Sequence, residues 1–255
     1  MQFLKDRPFY WIFATLALTG LIVDQVSKYV VFAKIHPEDR AVIAQVDVVS
    51  GFALRTTYPV DKDGKRQSAG DHPLASLRTI SSPHLPHLNR GALWGFGNEK
   101  DETENQGVWD KIVGYLRYAL SVFEDSDGTL NTFFAFVSAI AAVGITIWAA
   151  RPSVKDDRWI NIALGLILAG TLGNCYDRIV FGGVRDFLHA DFGFWPCNPW
   201  PDFNIADACL VTGAGILMVH SFLVKEKEET PAKENPAAAQ TQSPAPVPAA
   251  SGTTS

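Results

Sequence analysis

The segment FFAFVSAIAAVGITIWAA, residues 133–150, decides the fold class of this chain because it contains no charged side chain. An α-helix rises about 1.5 Å per residue, so about 20 apolar residues cross about 30 Å of hydrocarbon. Three further apolar blocks have a similar length. The four predicted spans cover residues 9–32, 131–150, 159–180 and 205–224. The sequence therefore predicts an α-helical membrane protein with four transmembrane helices.

The charges around these blocks predict the orientation of the chain. The short loop 151–158 carries three basic residues, and short basic loops lie on the cytoplasmic side. Both termini are then cytoplasmic, and residues 34–130 form an extracytoplasmic region. Lys5 and Arg7 precede the first block as in a signal peptide, but no small-residue cleavage pattern follows, so we interpret the block as a retained span. Residues 9–224 are predicted to form one membrane-embedded domain, and the Pro- and Ala-rich residues 225–255 a disordered cytoplasmic tail.

Composition argues against nucleic-acid and metal partners. The formal net charge is −5, and no basic patch stands out. Cys175, Cys197 and Cys209 lack the paired spacing of a zinc site. His84 and His87 lie close together among prolines, with no third ligand near them. We therefore predict no metal and no cofactor.

The extracytoplasmic region divides into three predicted parts. Residues 42–58 contain alternating and β-branched stretches that favour strands. Residues 56–87 are rich in Pro, Gly, Ser and charge, which predicts an inserted loop. Residues 108–123 carry apolar side chains at helical spacing, which predicts an interfacial amphipathic helix or an extension of the second span.

A polar stretch, residues 171–210, joins the third and fourth spans. Carboxylates at the edge of a membrane segment are costly to place, so they indicate function. The stretch holds five of them: Asp177, Asp186, Asp191, Asp202 and Asp207. Asp177 shares one side of the third span with Asn174 and Arg178. The neighbouring cation stabilises the ionised carboxylate, which favours a structural brace over a proton shuttle.

Asp186 and Asp207 lie in different electrostatic settings. Asp186 follows the glycine pair that ends the third span, and in an extended segment the Arg185 side chain points to the opposite face. Asp207 falls in the first turn of the fourth span, where the helix dipole favours a negative charge, and Asn204 is a candidate N-cap. Two such carboxylates facing one another would share a proton, as in an aspartic protease. Spacing alone leaves this as one of ten possible pairs among five aspartates.

Asp24 and Lys28 lie four residues apart near the outer end of the first span. The pair can be an intrahelical ion pair that reduces the cost of both charges. It can also form one wall of a polar site near the outer surface. The sequence leaves both interpretations open.

Five short motifs in order resemble bacterial lipoprotein signal peptidase, also called signal peptidase II. They are DQVSK at 24–28, NRGALWGF at 89–96, GNCYDR at 173–178, GVRDF at 183–187 and FNIAD at 203–207. The resemblance implies that Asp186 and Asp207 are the catalytic pair of an aspartic endopeptidase. It also implies a small β-rich extracytoplasmic cradle, built from residues near 42–58 and 88–98. The supporting polar or substrate-binding positions it implies are Asp24, Lys28, Asn89, Gly91, Asn174, Asp177, Arg178 and Asn204.

The implied reaction removes signal peptides from prolipoproteins, before a diacylglyceryl-modified cysteine, at the outer face of the bacterial cytoplasmic (inner) membrane. The partners implied are the prolipoprotein substrate and membrane lipid. Residues 57–88 depart from the family as a sizeable insertion. The alternatives are an ion- or proton-coupled transporter and a non-catalytic lipoprotein-binding protein.

Overall fold

Four long helices form the body of the molecule. The computed structural model describes residues 8–37, 41–70, 73–91, 129–193 and 200–229. Within these residues, four helices are long and apolar enough to cross a membrane. They are α1 (Tyr10–Lys34), α3 (Thr129–Ala149), α4 (Arg158–Val180) and α5 (Ile205–Glu229), and a short helix, α2 (Ala75–Ser81), lies between the first two. The predicted four-helix membrane fold is confirmed.

Helix α4 is the centre of the bundle, because it contacts α1, α3 and α5. Small residues permit these close approaches. A Cβ added at Gly165 would lie 2.8 Å from the Phe13 carbonyl oxygen of α1, and one added at Gly170 would meet the Ala206 carbonyl of α5. In contrast, α3 exposes Phe136, Ile140 and other large apolar side chains. Such an outward apolar surface suits contact with lipid.

A small antiparallel sheet lies beyond the C-terminal end of α1. Its strands are β1 (Ile43–Val49), β2 (Phe52–Thr57), β3 (Leu188–Ala190) and β4 (Trp200–Phe203), in that spatial order. The Tyr58 hydroxyl donates to the Phe32 carbonyl (3.1 Å), and the Thr56 hydroxyl donates to the Ile35 carbonyl (2.8 Å). These bonds fix the sheet to the last turn of α1.

The predicted β-rich cradle is confirmed in its first part. Residues 42–58 supply β1 and β2 as predicted. The other two described strands come from the segment that links α4 to α5. Asn89 makes only an isolated bridge with Val184 within the described part of that motif, and residues 92–98 lie outside the described residues. A three-residue strand such as β3 has too few positions to show alternation.

The insertion, described at residues 57–70 and 73–88, contains a helix that the loop prediction missed. Its ends meet, because the His87 amide donates to the Thr57 carbonyl (2.7 Å). Leu85 and Leu88 pack with Val180 and Phe181 at the end of α4. The insertion is therefore attached to the end of the bundle where α4 ends.

Two predictions lie wholly or partly outside the described residues. The amphipathic helix predicted at 108–123 lies outside them, as does Cys197. Helix α5 continues to Glu229, into the segment predicted as a tail, and residues 230–255 lie outside the described part of the chain.

Candidate active site

Asp207 lies in the first turn of α5 and is fixed by Asn204, which precedes the helix. The Asp207 amide donates to Asn204 Oδ1 (3.0 Å), and the Asn204 amide donates back to Asp207 Oδ2 (3.2 Å). This reciprocal pairing is a capping box, which satisfies amides that a first helical turn leaves unpaired. The predicted capping role of Asn204 is confirmed, and the Asp207 carboxylate is fixed relative to the helix.

Asp186 reaches the same place through a turn that follows α4. The chain leaves the helix at Gly182, whose φ of +83° side-chain-bearing residues rarely adopt. Asn89 and Val184 then exchange two backbone hydrogen bonds of 2.8 Å, which places Asn89 beside Asp186. Asn89 Nδ2 donates to Asp186 Oδ2 (3.0 Å), and Asn204 Nδ2 donates to Asp186 Oδ1 (2.6 Å).

Two asparagines join the aspartates into one hydrogen-bond network. Asn204 contacts Asp186 through its side-chain amide and Asp207 through the capping box. Asn174, in α4, donates from Nδ2 to Asp207 Oδ1 (2.8 Å), and its Oδ1 accepts from Asn204 Nδ2 (3.3 Å). We call Asp186 and Asp207 the dyad. Spacing alone could not select this pair.

The remaining aspartates of residues 171–210, all within the described residues, have other partners. Asp191 Oδ1 accepts from the Gly193 amide in an exposed turn (2.9 Å). Asp202 lies 2.7 Å from His189 on the sheet. Asp177 belongs to a buried ion network. The structure thus separates the five candidate carboxylates into distinct environments.

The dyad carboxylates are held by amides rather than by cations. Among the described residues, no Lys, Arg or His nitrogen lies within 4.0 Å of a carboxylate oxygen of Asp186 or Asp207. Burial raises the pKa of Asp186 well above its usual value, and the nearby charge of Asp207 raises that pKa further. A carboxyl group in this position can hold a proton that an exposed aspartate would lose.

The buried ion network consists of Asp24, Lys28, Asp177 and Arg185, and all four are fully buried. Lys28 Nζ lies 2.9 Å from Asp24 Oδ2 and 3.4 Å from Asp177 Oδ2. Arg185 NH2 lies 2.8 Å from Asp177 Oδ1, and its Nε donates to Asp177 Oδ2 (3.2 Å). Asp24 Oδ1 also accepts the Ala206 amide at the start of α5 (2.9 Å). The network therefore ties α1, α4 and α5 together.

Both interpretations of Asp24 and Lys28 hold in the structure. The two residues form the intrahelical pair, and Lys28 Nζ also donates to Asn174 Oδ1 (3.3 Å). Because Asn174 donates to Asp207, the ion network and the dyad share this asparagine. The pair is thus an ion pair and one wall of the polar site.

The predicted partner of Asp177 was wrong, although its ion-paired state was right. Asp177 pairs with Lys28 and Arg185, whereas Arg178 donates from NH2 to the Gly91 carbonyl (2.9 Å). The Gly91 amide in turn donates to Asn89 Oδ1 (3.0 Å). Arg178 therefore stabilises the turn that carries Asn89 to the dyad.

Sequence reasoning missed two members of the polar site, Arg185 and Gln25. Arg185 NH2 donates to Gln25 Oε1 (3.1 Å), and Gln25 Nε2 donates to Asp24 Oδ2 (2.9 Å). Both residues stand inside motifs already quoted, GVRDF and DQVSK. A signal was available, since each neighbours a predicted site aspartate in sequence.

Comparisons with known proteins agree with the motifs. The family model described as signal peptidase (SPase) II matches residues 111–223. A lipoprotein signal peptidase of Psychromonas ingrahamii is 42% identical over 108 residues, covering 42% of this chain and 60% of that protein. One from Aeromonas hydrophila is 43% identical over 112 residues, covering 44% of this chain and 64% of that protein. The chain therefore spans somewhat less than two thirds of the length of the curated relatives it matches.

A solved structure shares the fold. It is a bacterial membrane enzyme determined by the in meso method, with a TM-score of 0.51 and 19% identity. The match covers 87% of this chain and 93% of that one. That likeness concerns the fold, whereas the family model and the curated relatives confirm the resemblance to signal peptidase II that the motifs predicted.

Proposed function

We propose that this relative of signal peptidase II is a membrane aspartic endopeptidase that removes signal peptides from prolipoproteins. The observation that carries the proposal is the geometry of the dyad. Asp186 and Asp207 share Asn204, and amide donors rather than cations hold both carboxylates. Two such carboxylates can hold one proton between them and exchange it with a substrate.

The two aspartates take different roles in this proposal. Asp186 carries the proton, because burial and the neighbouring charge raise its pKa. Asp207 is the ionised base, since it lies in the first turn of α5, at the positive end of the helix. The protonated residue acts as general acid and the ionised residue as general base.

The reaction then needs one water molecule. Asp207 accepts a proton from water while the water oxygen bonds to the scissile carbonyl carbon, and Asp186 donates its proton to the carbonyl oxygen. The resulting diol collapses as the C–N bond breaks. Asp207 passes its proton to the leaving amine, and Asp186 recovers a proton from a diol hydroxyl. The products are a free carboxyl and a free amino terminus, and the dyad returns to its starting state.

The position of the dyad supports a lipid-modified substrate. Asp186 and Asp207 lie between the end of α4 and the start of α5, and the loop between α3 and α4 joins the opposite end of α4. That loop is basic, which favours a cytoplasmic position for it and for both termini, and an outer position for the dyad. The acyl chains of a diacylglyceryl-modified cysteine would remain in the bilayer while the peptide bond before it meets the dyad at the outer face of the inner membrane.

The test is cleavage of a purified diacylglyceryl-modified precursor by the full chain in detergent micelles or liposomes. We expect the wild-type chain to release the signal peptide, and Asp186→Asn or Asp207→Asn to release none. Asp191→Asn is the matched control, because this exposed aspartate of the same stretch accepts only a turn amide in the described structure. Complete processing of the lipid-modified precursor by either dyad variant would contradict the proposal. Solute flux without any proteolysis would favour the transporter alternative instead.

A further inference from the structure

The insertion of residues 57–88 reaches the buried ion network through Ser81, the last residue of α2. Arg185 NH1 donates to Ser81 Oγ (3.0 Å), and both residues are essentially inaccessible to solvent. A second bond holds the helix in place, because Arg78 Nε donates to the Val180 carbonyl at the end of α4 (2.6 Å). The insertion therefore supplies an acceptor to a cation in the centre of the protein.

The acceptor matters because Arg185 is the largest fully buried side chain among the described residues. Its guanidinium lies over the Phe181 ring (3.8 Å to the centroid) and bonds Asp177, Gln25 and Ser81. A charged donor that loses its acceptor in such a place cannot turn to water, so the group must shift or remain unsatisfied. Removing the Ser81 hydroxyl would therefore disturb Arg185.

Two short routes lead from Arg185 to the dyad. The first is the backbone: the Arg185 amide donates to Asp177 Oδ2 (2.9 Å), and the next residue is Asp186. The second passes through side chains, from Asp177 to Lys28 (3.4 Å) and from Lys28 to Asn174, which donates to Asp207. A displacement at Arg185 would reach both carboxylates.

We propose that Ser81 is a positioning residue for the dyad and acts through Arg185. This inference rests on the proposed function for its catalytic readout. The insertion is then part of the wall of the active site, although none of its described residues bonds to either aspartate of the dyad. A positioning role predicts a change in turnover with little change in substrate binding.

The test compares Ser81→Ala, Ser81→Thr and Ser82→Ala in the full chain. Ser82 is the matched control: it is equally buried, and its Oγ accepts the His84 amide within the insertion (3.1 Å). We expect Ser81→Ala to lower kcat about tenfold at unchanged KM, since small misplacements of catalytic groups are costly. Ser81→Thr keeps the hydroxyl and should recover most of the activity. Ser82→Ala should stay within about twofold of the wild type, because the Ser82 hydroxyl bonds to residues of the insertion and not to Arg185.

A second measurement does not depend on activity. Amide hydrogen exchange of the segment that contains residues 181–188 should be faster in Ser81→Ala and unchanged in Ser82→Ala, because the Arg185 amide loses its fixed acceptor. An unchanged kcat in Ser81→Ala overturns the inference, and so does an equal loss in Ser82→Ala. If the wild-type chain cleaves no lipidated precursor, the proposed function fails by itself. The exchange comparison then decides whether Ser81 holds the Arg185 segment.

Discussion

Two pairs of aspartates lie side by side in this protein and differ in what holds them. Asp24 and Asp177 are paired with Lys28 and Arg185 in the buried ion network. The dyad carboxylates accept from asparagine side chains and from one backbone amide. The same residue type therefore occurs in two electrostatic settings. Asn174 connects them, because it accepts from Lys28 and donates to Asp207.

The difference between the two settings explains why the two pairs of aspartates have different roles. A buried carboxylate beside a cation stays ionised, because the cation offsets the cost of burying its charge. Such a group fixes structure but exchanges protons poorly. Amide donors do not offset the cost of burying the negative charge in this way. In a pair of carboxylates held only by amides, protonation of one member is therefore favoured. Each of the following experiments tests this comparison.

The largest effect is expected from the dyad. Asp207→Asn should lower kcat on the order of 10⁴-fold, the scale that follows loss of one member of a protease catalytic unit. The folded structure should persist, since an asparagine keeps the size of the side chain and its one oxygen still accepts one of the two N–H groups that bond Asp207. Initial rates and an unfolding curve in mixed micelles measure the two quantities separately. Residual activity within tenfold of the wild type would contradict a catalytic role.

The main effect of Asp177→Asn should be a loss of stability. It leaves Lys28 and Arg185 with one fewer buried counter-charge, and breaking a buried ion pair costs about 3–5 kcal/mol. The free energy of unfolding in mixed micelles measures the loss, with Asp191→Asn as the exposed control. A change below about 1 kcal/mol, the size typical of exposed pairs, would remove the distinction between the two settings.

Gly173→Ala tests the close packing of α4 against the buried ion network. A Cβ at this position would lie 2.5 Å from Asp24 Oδ2 and 3.2 Å from Ala206 Cβ. Overpacking of this kind costs about 1–3 kcal/mol. Gly144→Ala is the control, because an added Cβ there meets nothing within 4 Å of the described structure. Equal unfolding free energies for the two variants would show that the contact at Gly173 is unimportant.

The smallest effect is a pH-dependent one at Asp186. The pKa of Asp186 is raised in the folded protein, so the native state binds more protons than the unfolded chain and loses stability as pH rises. Asp186→Asn removes this loss. The variant loses one amide acceptor at every pH. Its stability advantage over the wild type should therefore be judged by its pH dependence, and it should be greatest near neutral pH and shrink as pH falls toward the ordinary aspartate pKa of about 3.9.

Unfolding curves at several pH values measure this advantage. An advantage that grows as the pH falls would show that the pKa shift has the opposite sign. The same raised pKa predicts that wild-type turnover falls as pH rises through it, because the general acid then loses its proton.

Much of the fold followed from apolar patterning alone. The four blocks became α1, α3, α4 and α5, since each is long enough to cross a bilayer and can satisfy its backbone internally. The hairpin of β1 and β2 followed from alternation. Helix α2 did not, because its short sequence lies among prolines and glycines and is stabilised by contacts with distant residues.

The site was harder to predict because a turn reverses the direction of the chain and brings distant residues together. Adjacency in the sequence favoured Arg178 as the partner of Asp177, but the turn at Gly182 brings Arg185 back to it. The pairing of Asp186 with Asp207 came from the family resemblance, because spacing could not choose among the five aspartates. The contact between Ser81 and Arg185 could not be predicted from the sequence, since a single serine in a loop-like segment belongs to no periodic pattern.

The sequence by itself determined the helices that cross the membrane, the end of the bundle where the aspartates collect, and the family that the motifs resemble. These properties depend on local composition and on hydrophobic length. Only the tertiary structure decided which aspartates receive cations and which receive amides. That choice depends on side chains far apart in the chain and on burial, which strengthens every charge interaction by excluding water.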